Sequence, residues 1–222
     1  MADLYPIYLS LEDKPCLVVG GGRVAYRKVK GLLEAKAKIT LVSPQCEPEL
    51  LSLAAEGAIA LHERPFENDD VKGMWLVFCA TDVDKVNRAV FEASEAARVP
   101  ANVADQPHIC RFHVPGRYKE GALQIAVSTR GGSPALSRRL RQGFSDTLSP
   151  WAPRLVEWMA RLRPLLKARL PGSASVRGAF LNRIVDERFD TLKAWAQQND
   201  RASFDAFIQE ALDQFEKNRS EP

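Results

Sequence analysis

The sequence predicts an α/β protein: a parallel, doubly wound sheet first, then a small α+β segment, then a helical domain. Three observations support this. A short apolar run at Pro15–Val19 ends in three glycines and continues into a helical pattern. Apolar runs of strand length then alternate with helical patterns up to about residue 103, which is typical of a parallel sheet with right-handed crossovers. From Pro150 onward the pattern is helical throughout.

In the first part, strands are expected at residues 15–19, 38–42, 58–63, 75–79 and 100–103, and helices at 24–35, 47–56 and 83–97. Residues 5–11 fit a lead-in strand or loop. Beyond Pro107, strands are expected at 112–114 and 123–128, around a turn at 115–121. Ser133 as N-cap, with Pro134 at the first helical position, predicts a helix over 135–148. The predicted divisions are a Rossmann-like domain at 1–110, a small segment at 111–149 and a helical domain at 150–222.

Composition and charge exclude several classes of protein. The apolar fraction of 45% and the charged fraction of 27% are those of a globular protein, and 222 residues can bury a substantial core. A net charge of +3 is too small to indicate nucleic-acid binding. No apolar run approaches the roughly 18 residues of a membrane span, and the first residues do not resemble a secretory signal. The four cysteines include no C-x-x-C pair, and Cys16 and Cys79 fit buried core positions. We therefore expect a reduced, cytoplasmic protein.

The glycine turn fits the binding of a dinucleotide pyrophosphate. Gly20 can make the tight turn off the strand, Gly22 allows the phosphates to approach, and Ala25 fills the small third position of G-x-G-x-x-G/A. The next helix presents free N–H groups and its positive dipole end to the anion. The acidic residue that usually binds the ribose is missing, because Ser43 stands at that strand end. No arginine adjoins Ser43 to suggest a 2′-phosphate, and NAD is favoured over NADP.

Polar groups at three predicted strand ends are expected to converge, because ligands of such sheets bind at the carboxyl ends of the strands. These groups are the glycine turn, Ala80-Thr81 and Ala104-Asp105. Asp105 is the only carboxylate at the tip of its strand, which suits a general base. The alternative is that Asp105 caps a turn before Pro107.

Two further clusters allow more than one interpretation. His108 and His113 flank Cys110, but the spacing matches no standard zinc site, so no metal is predicted and His108 remains a minor candidate for touching substrate. A basic concentration follows: Arg111, Arg117, Lys119, Arg130, Arg138, Arg139 and Arg141. It is either a solvated face or a landing site for a polyanion. Nucleic acid is disfavoured as that polyanion because no aromatic side chains are interleaved.

Several motifs together resemble the precorrin-2 dehydrogenase/sirohydrochlorin ferrochelatase family, the N-terminal module of siroheme synthase. The matching residues are 5–9, 18–28, 80–82 with Val86-Asn87, 102–107, 112–115, 125–129 and 132–136. The resemblance covers roughly residues 4–141, whereas the tail resembles the family only in being helical. It implies NAD-dependent oxidation of precorrin-2 to sirohydrochlorin, followed in many members by insertion of Fe²⁺ to give siroheme. It also implies a homodimer built through residues 111–149, and a stand-alone form without the methyltransferase domain of fused members.

The resemblance also implies roles for individual residues. Asp105 is the expected catalytic residue of both steps. The expected cofactor-binding residues are Gly20, Gly21, Gly22, Arg23, Val24, Ala25, Ser43, Pro44, Gln45 and Thr81. The expected substrate-binding residues are Asn102, His108, Ser128, Thr129, Arg130 and Ser133. Precorrin-2 carries eight carboxylates, which gives the basic concentration a substrate. Thr129 stands where members often have serine, a departure that bears on metal insertion rather than on dehydrogenation.

Two other classes of function remain open on the sequence. One is a non-catalytic NAD-sensing or ligand-binding module with a helical interaction tail. The other is a nucleic-acid-binding protein that uses the basic helices, which predicts tight, salt-dependent retention of DNA or RNA. The enzyme hypothesis differs from both because it requires the carboxylate of Asp105.

Overall fold

The computed structural model describes residues 4–172 and 174–220, which form two compact units that divide between Val114 and Pro115. The first unit contains a five-stranded parallel sheet, with strand order β3-β2-β1-β4-β5. The strands are β1 (Pro15–Val19), β2 (Lys38–Val42), β3 (Ala60–His62), β4 (Leu76–Cys79) and β5 (Ala101–Val103). Its α-helices are α1 (Arg23–Glu34), α2 (Pro48–Ala55) and α3 (Asp84–Ala97). The predicted parallel, doubly wound sheet is therefore confirmed.

The two faces of the sheet bury different halves of the strand residues. On β1, Cys16 and Val18 pack with α1 and α2, whereas Leu17 and Val19 pack with α3 on the opposite face. Burial on both faces explains why these strands are continuous apolar runs rather than alternating ones. Cys16 and Cys79 are fully buried, as predicted, and burial raises the pKa of their thiols to about 11 and about 12.

The strand register brings four strand ends to one level. Val19 pairs with Val42 on one side and with Cys79 on the other, and Cys79 pairs with Val103. The residue directly after each of β1, β4 and β5 continues the hydrogen-bond ladder of the sheet. The N–H groups of Gly20, Ala80 and Ala104 donate to carbonyl oxygens of the neighbouring strands at 2.8–3.0 Å. The loops after β1, β2, β4 and β5 therefore start side by side.

The strand predicted at 112–114 is wrong, whereas the strand predicted at 123–128 is confirmed. Residues 112–114 do not form a strand; the strand is β6 (Gly116–Glu120), paired antiparallel with β7 (Leu123–Val127). Tyr118 is buried on this hairpin while its charged neighbours face outward, and the turn falls at Gly121, with φ of +55°. Gly116 and the exposed charged residues resemble a turn in sequence, whereas cross-strand pairing makes this segment a strand. Of the two alternatives for residues 5–11, the structure shows the loop.

The second unit contains the β6–β7 hairpin and four helices, α4 (Pro134–Leu148), α5 (Trp151–Arg169), α6 (Ala174–Gln198) and α7 (Arg201–Ser220). Ser133 caps α4 as predicted, because its hydroxyl accepts from the Leu136 N–H at 3.1 Å. The last three helices share one apolar core, in which the rings of Trp158 and Phe204 lie 5.1 Å apart. Contacts thus join the hairpin and all four helices in one unit, while the three-part division at 110 and 149 stays a prediction. No helix in the described part of the chain is long and apolar enough to cross a bilayer.

Candidate functional site

A cleft of about 860 Å³ opens at the aligned strand ends of the first unit. It lies where the strand order reverses, between β1 and β4, the position at which doubly wound sheets bind their ligands. Most of the residues predicted for the cofactor and for catalysis line it: Gly20, Gly21, Gly22, Arg23, Val24, Ser43, Pro44, Gln45, Thr81 and Asp105. Tertiary structure therefore brings together groups up to 85 positions apart in the chain, from Gly20 to Asp105.

Glycine suits each of the three positions of the turn for a different physical reason. Gly20 has a φ of +109°, and a Cβ there would overlap the carbonyl of Ala80. A Cβ on Gly21 would overlap the carbonyl oxygen of Gln45. A Cβ on Gly22 would meet no described atom within 4 Å, although Gly22 lines the cleft. The first two glycines permit close packing of the loops, and the third keeps the cleft open.

The N-terminus of α1 fits the pyrophosphate of a dinucleotide. The first intrahelical bond runs from the Tyr26 N–H to the Gly22 carbonyl, so the preceding N–H groups of the helix have no partner within it. Gly22 is the N-cap and supplies no side-chain cap, and the first turn holds no acidic residue. Donors and a positive dipole end are thus available beside the open position at Gly22. Ala25 is fully buried under the helix, which suits its predicted packing role.

The loop after β2 folds over the glycine turn. The hydroxyl of Ser43 donates to the Gln45 carbonyl at 2.6 Å, and Ser43 is only 5% exposed. Further on, the Glu47 N–H donates to the Gly21 carbonyl at 2.8 Å. These two bonds hold the loop against the turn, so that Pro44 and Gln45 line the cleft.

The loop after β4 is held by Asn87, a buried residue of α3. The Asn87 amide nitrogen donates to the Thr81 carbonyl at 3.2 Å, and its oxygen accepts from the Cys79 thiol at 3.0 Å. The Thr81 hydroxyl accepts from the Val83 N–H at 2.9 Å. Because the Thr81 loop forms one wall of the cleft, Asn87 positions that wall without lining it itself.

Replacement of Asn87 with leucine is expected to lower the free energy of unfolding by about 1–3 kcal/mol, because the Cys79 and Thr81 partners lose a buried hydrogen-bonding group. Dinucleotide binding should weaken about threefold to tenfold as the Thr81 wall loosens. Urea denaturation and calorimetric titration would measure the two effects. The matched control is Ser94→Ala on the same helix: the Ser94 hydroxyl is buried and has no hydrogen-bond partner among the described residues, so its removal should not destabilise. Equal losses in both variants would contradict the role of Asn87.

Asp105 lies in the turn after β5, exposed at the wall of the cleft. Its φ of +59° is left-handed, a conformation that aspartate and asparagine tolerate better than most residues. The Ala104 N–H donates to the Cys79 carbonyl at 2.9 Å and ties this turn to the neighbouring strand. The turn thus places Asp105 at the cleft.

Lys28 is the charged group near Asp105 for which the sequence offered no role. It lies on α1, and its ammonium is 5.6 Å from the ring centroid of Phe78. Burial and then the charge of Arg27 lower the pKa of Lys28, while Cys110 and Asp105 act in the opposite direction. Lys28 therefore adds a partly buried positive charge within electrostatic range of the Asp105 carboxylate.

Other predicted residues lie outside the cleft wall. The Asn102 amide donates to the Phe112 carbonyl at 2.9 Å and is buried, and His108 is exposed in the turn beyond Asp105. Arg111, from the basic concentration, forms an exposed ion pair with Glu95. Within residues 4–172 and 174–220, no group of three or more His, Cys, Asp or Glu side chains is placed to hold a metal ion. Substrate contacts by Asn102 and His108 stay predictions.

The remaining predicted substrate residues form a turn in the second unit. The Thr129 hydroxyl bonds to both the N–H and the carbonyl of Ser133 at 3.2 Å. The Ser128 hydroxyl accepts from the Arg130 N–H at 3.2 Å, and Arg130 has a φ of +52°. These hydroxyls therefore stabilise the turn that precedes α4. Their roles toward substrate also stay predictions.

Comparisons with known proteins agree with this geometry. A family model described as putative NAD(P)-binding matches residues 7–116, and one described as sirohaem biosynthesis protein central matches residues 120–143. The chain is 41% identical over 184 residues to a siroheme synthase of Thioalkalivibrio sulfidiphilus (strain HL-EbGR7), covering 83% of this chain and 37% of that protein. It is 42% identical over 164 residues to a siroheme synthase of Methylobacillus flagellatus, covering 74% of this chain and 35% of that protein. The chain thus spans little more than a third of these relatives.

A solved structure titled "SirC, precorrin-2 dehydrogenase" is similar over nearly its whole length. The TM-score is 0.70 at 26% identity, with 88% of this chain and 98% of that chain covered. Fold and cleft together define an NAD(P)-binding protein of the doubly wound class. Within that class, the chain belongs to the family of precorrin-2 dehydrogenases and siroheme synthase N-terminal modules. The predicted family, fold class and NAD cofactor are confirmed.

Proposed function

We propose that this chain catalyses the NAD-dependent oxidation of precorrin-2 to sirohydrochlorin in siroheme biosynthesis. The observation that carries the proposal is the single cleft that holds both the glycine turn and the Asp105 carboxylate. The printed names of the relatives and of the similar structure support the choice of substrate. The balanced reaction converts precorrin-2 and NAD⁺ into sirohydrochlorin, NADH and a proton.

Different residues of the cleft have different proposed roles. Bound NAD⁺ supplies the acceptor for the hydride. The N–H groups at the start of α1, which have no partner within the helix, would bind the pyrophosphate, and the Thr81 loop and the Ser43–Gln45 loop would hold the rest of the dinucleotide. The Asp105 carboxylate accepts the proton that leaves the macrocycle. We retain Asn102, His108, Ser128, Thr129, Arg130 and Ser133 as proposed substrate contacts on the family resemblance.

The direct test supplies the purified protein with precorrin-2 and NAD⁺ and follows NADH formation together with the visible spectrum of the tetrapyrrole. NAD-dependent formation of sirohydrochlorin is the expected result. NAD binding without turnover would contradict the proposal and favour the non-catalytic NAD-sensing module instead. Addition of Fe²⁺ to the product mixture tests the predicted metal insertion, with the uncatalysed rate as reference. A chromophore that changes no faster than this reference would restrict the chain to dehydrogenation.

The proposal includes a homodimer in the cytoplasm. Helix α4 buries no residue within the chain, and its Leu136 and Leu140 are 51% and 43% exposed, which suits a surface that a second copy covers. All four cysteines are free, as a reducing compartment would keep them. Sedimentation equilibrium measures the oligomeric state. A monomer at micromolar concentration would contradict this part of the proposal.

A further inference from the structure

The cleft contains an acidic residue on the β2 side that the sequence analysis did not use. Glu47 lines the cleft and stands four residues after Ser43, directly before α2. Its N–H donates to the Gly21 carbonyl at 2.8 Å, so its backbone is joined to the glycine turn itself. The position of Glu47 is therefore fixed relative to the pyrophosphate-binding end of α1.

The Glu47 carboxylate is available to a ligand. Glu47 is the N-cap residue of α2, yet its side chain makes no capping hydrogen bond, and it has no hydrogen bond or ion pair to any side chain in the described ranges. The residue is partly exposed. A carboxylate held at a cleft wall without a partner can accept two hydrogen bonds from a diol.

Neither Ser43 nor the other acids of the cleft can take this role. The Ser43 hydroxyl hydrogen is committed to the Gln45 carbonyl, and Ser43 is neutral. Asp82 and Asp105 follow β4 and β5, on the opposite side of β1. In a doubly wound sheet the acid that binds the adenosine ribose comes from the β2 side.

The charge around the cleft also disfavours a phosphorylated ribose. Among the described residues that line the cleft, Arg23 is the only one with a cationic side chain. It lies on the first turn of α1, where the pyrophosphate is expected. Glu47 thus leaves a net negative charge on the β2 side. A 2′-phosphate placed there would meet like charge instead of a cation.

We propose that Glu47 determines the choice of NAD over NADP by accepting hydrogen bonds from the adenosine ribose hydroxyls and repelling a 2′-phosphate. This inference rests on the proposed function for the identity of the bound dinucleotide. Glu47 takes the place of the acidic residue whose absence at Ser43 made the motif incomplete.

Calorimetric titration with NAD⁺ and with NADP⁺, in the absence of precorrin-2, tests this inference by binding alone. The parent protein is expected to bind NAD⁺ at least about tenfold more tightly than NADP⁺, and Glu47→Gln is expected to reduce that ratio by about tenfold. Glu47→Ala should lose more NAD⁺ affinity than Glu47→Gln, because the amide oxygen still accepts a hydrogen bond. Raising the salt concentration should reduce the ratio in the parent protein more than in Glu47→Gln.

The matched control is Glu49→Gln, which removes the same charge from the first turn of α2 at an exposed position outside the cleft wall. Its ratio should equal that of the parent. An unchanged ratio in Glu47→Gln, or an equal shift in Glu49→Gln, would overturn the inference. A parent protein that binds NAD⁺ selectively but does not oxidise precorrin-2 would refute the proposed function alone. Binding of neither dinucleotide would overturn both.

Discussion

Replacement of Asp105 with asparagine is expected to slow precorrin-2 oxidation by about 10²–10⁴-fold, the usual contribution of a general base. Asparagine has nearly the same shape and cannot accept the proton. It also tolerates the left-handed backbone that Asp105 adopts, with φ of +59°, so the turn after β5 should keep its structure. The rate of NADH formation with precorrin-2 measures the loss, and titration with NAD⁺ should show affinity within about twofold of the parent.

Asp82→Asn is the matched control for Asp105. It removes the same charge from the same cleft, at the exposed loop after β4. If negative charge alone promoted the reaction, both variants would lose activity equally. A smaller loss in Asp82→Asn is expected, since Asp82 is given no proton to accept. Full activity in Asp105→Asn would remove Asp105 from the mechanism while leaving the cofactor site intact.

Replacement of Gly20 with alanine is expected to lower the free energy of unfolding by about 2–5 kcal/mol and to abolish measurable dinucleotide binding. Two effects act together. The φ of +109° strains any residue with a Cβ, and that Cβ would overlap backbone atoms of Ala80, which cannot rotate away. Relief requires the β1 and β4 loops to separate, and residues of both loops line the cleft. Urea denaturation followed by circular dichroism measures the destabilisation.

Gly22→Ala distinguishes the conformational role of Gly20 from a general need for glycine in this turn. Gly22 has a φ of −87°, and a Cβ there meets no described atom within 4 Å. Its stability should therefore stay within about 1 kcal/mol of the parent. Weaker dinucleotide binding by this stable variant would come from the added methyl group at the cleft. Equal destabilisation of both variants would refute the structural account of the turn.

Much of the first unit follows from local sequence signals. The apolar runs of β1, β2 and β4 fall within one residue of their predicted bounds, because strands buried on both faces must be continuously apolar. The glycine turn and Asp105 were identified as strand-end residues for the same reason. In the hairpin, the strand predicted at 123–128 matches β7, whereas the strand predicted at 112–114 is wrong. The outward-facing charges and Gly116 of β6 resemble a turn, and only cross-strand pairing defines the strand.

The sequence by itself determined the order of elements, the glycine turn, the carboxylate at the tip of β5 and the family. Tertiary structure alone decided which of these groups meet. The strand register places the ends of four strands side by side, at Val42, Val19, Cys79 and Val103. It depends on hydrogen bonds between segments far apart in the chain. The backbone bond from the Glu47 N–H to the Gly21 carbonyl likewise joins segments far apart in the chain. The spacing after the glycines leads to Ser43, whereas the folded loop also brings Glu47, four residues later, into the cleft lining. Such non-local bonds cannot be inferred from spacing alone.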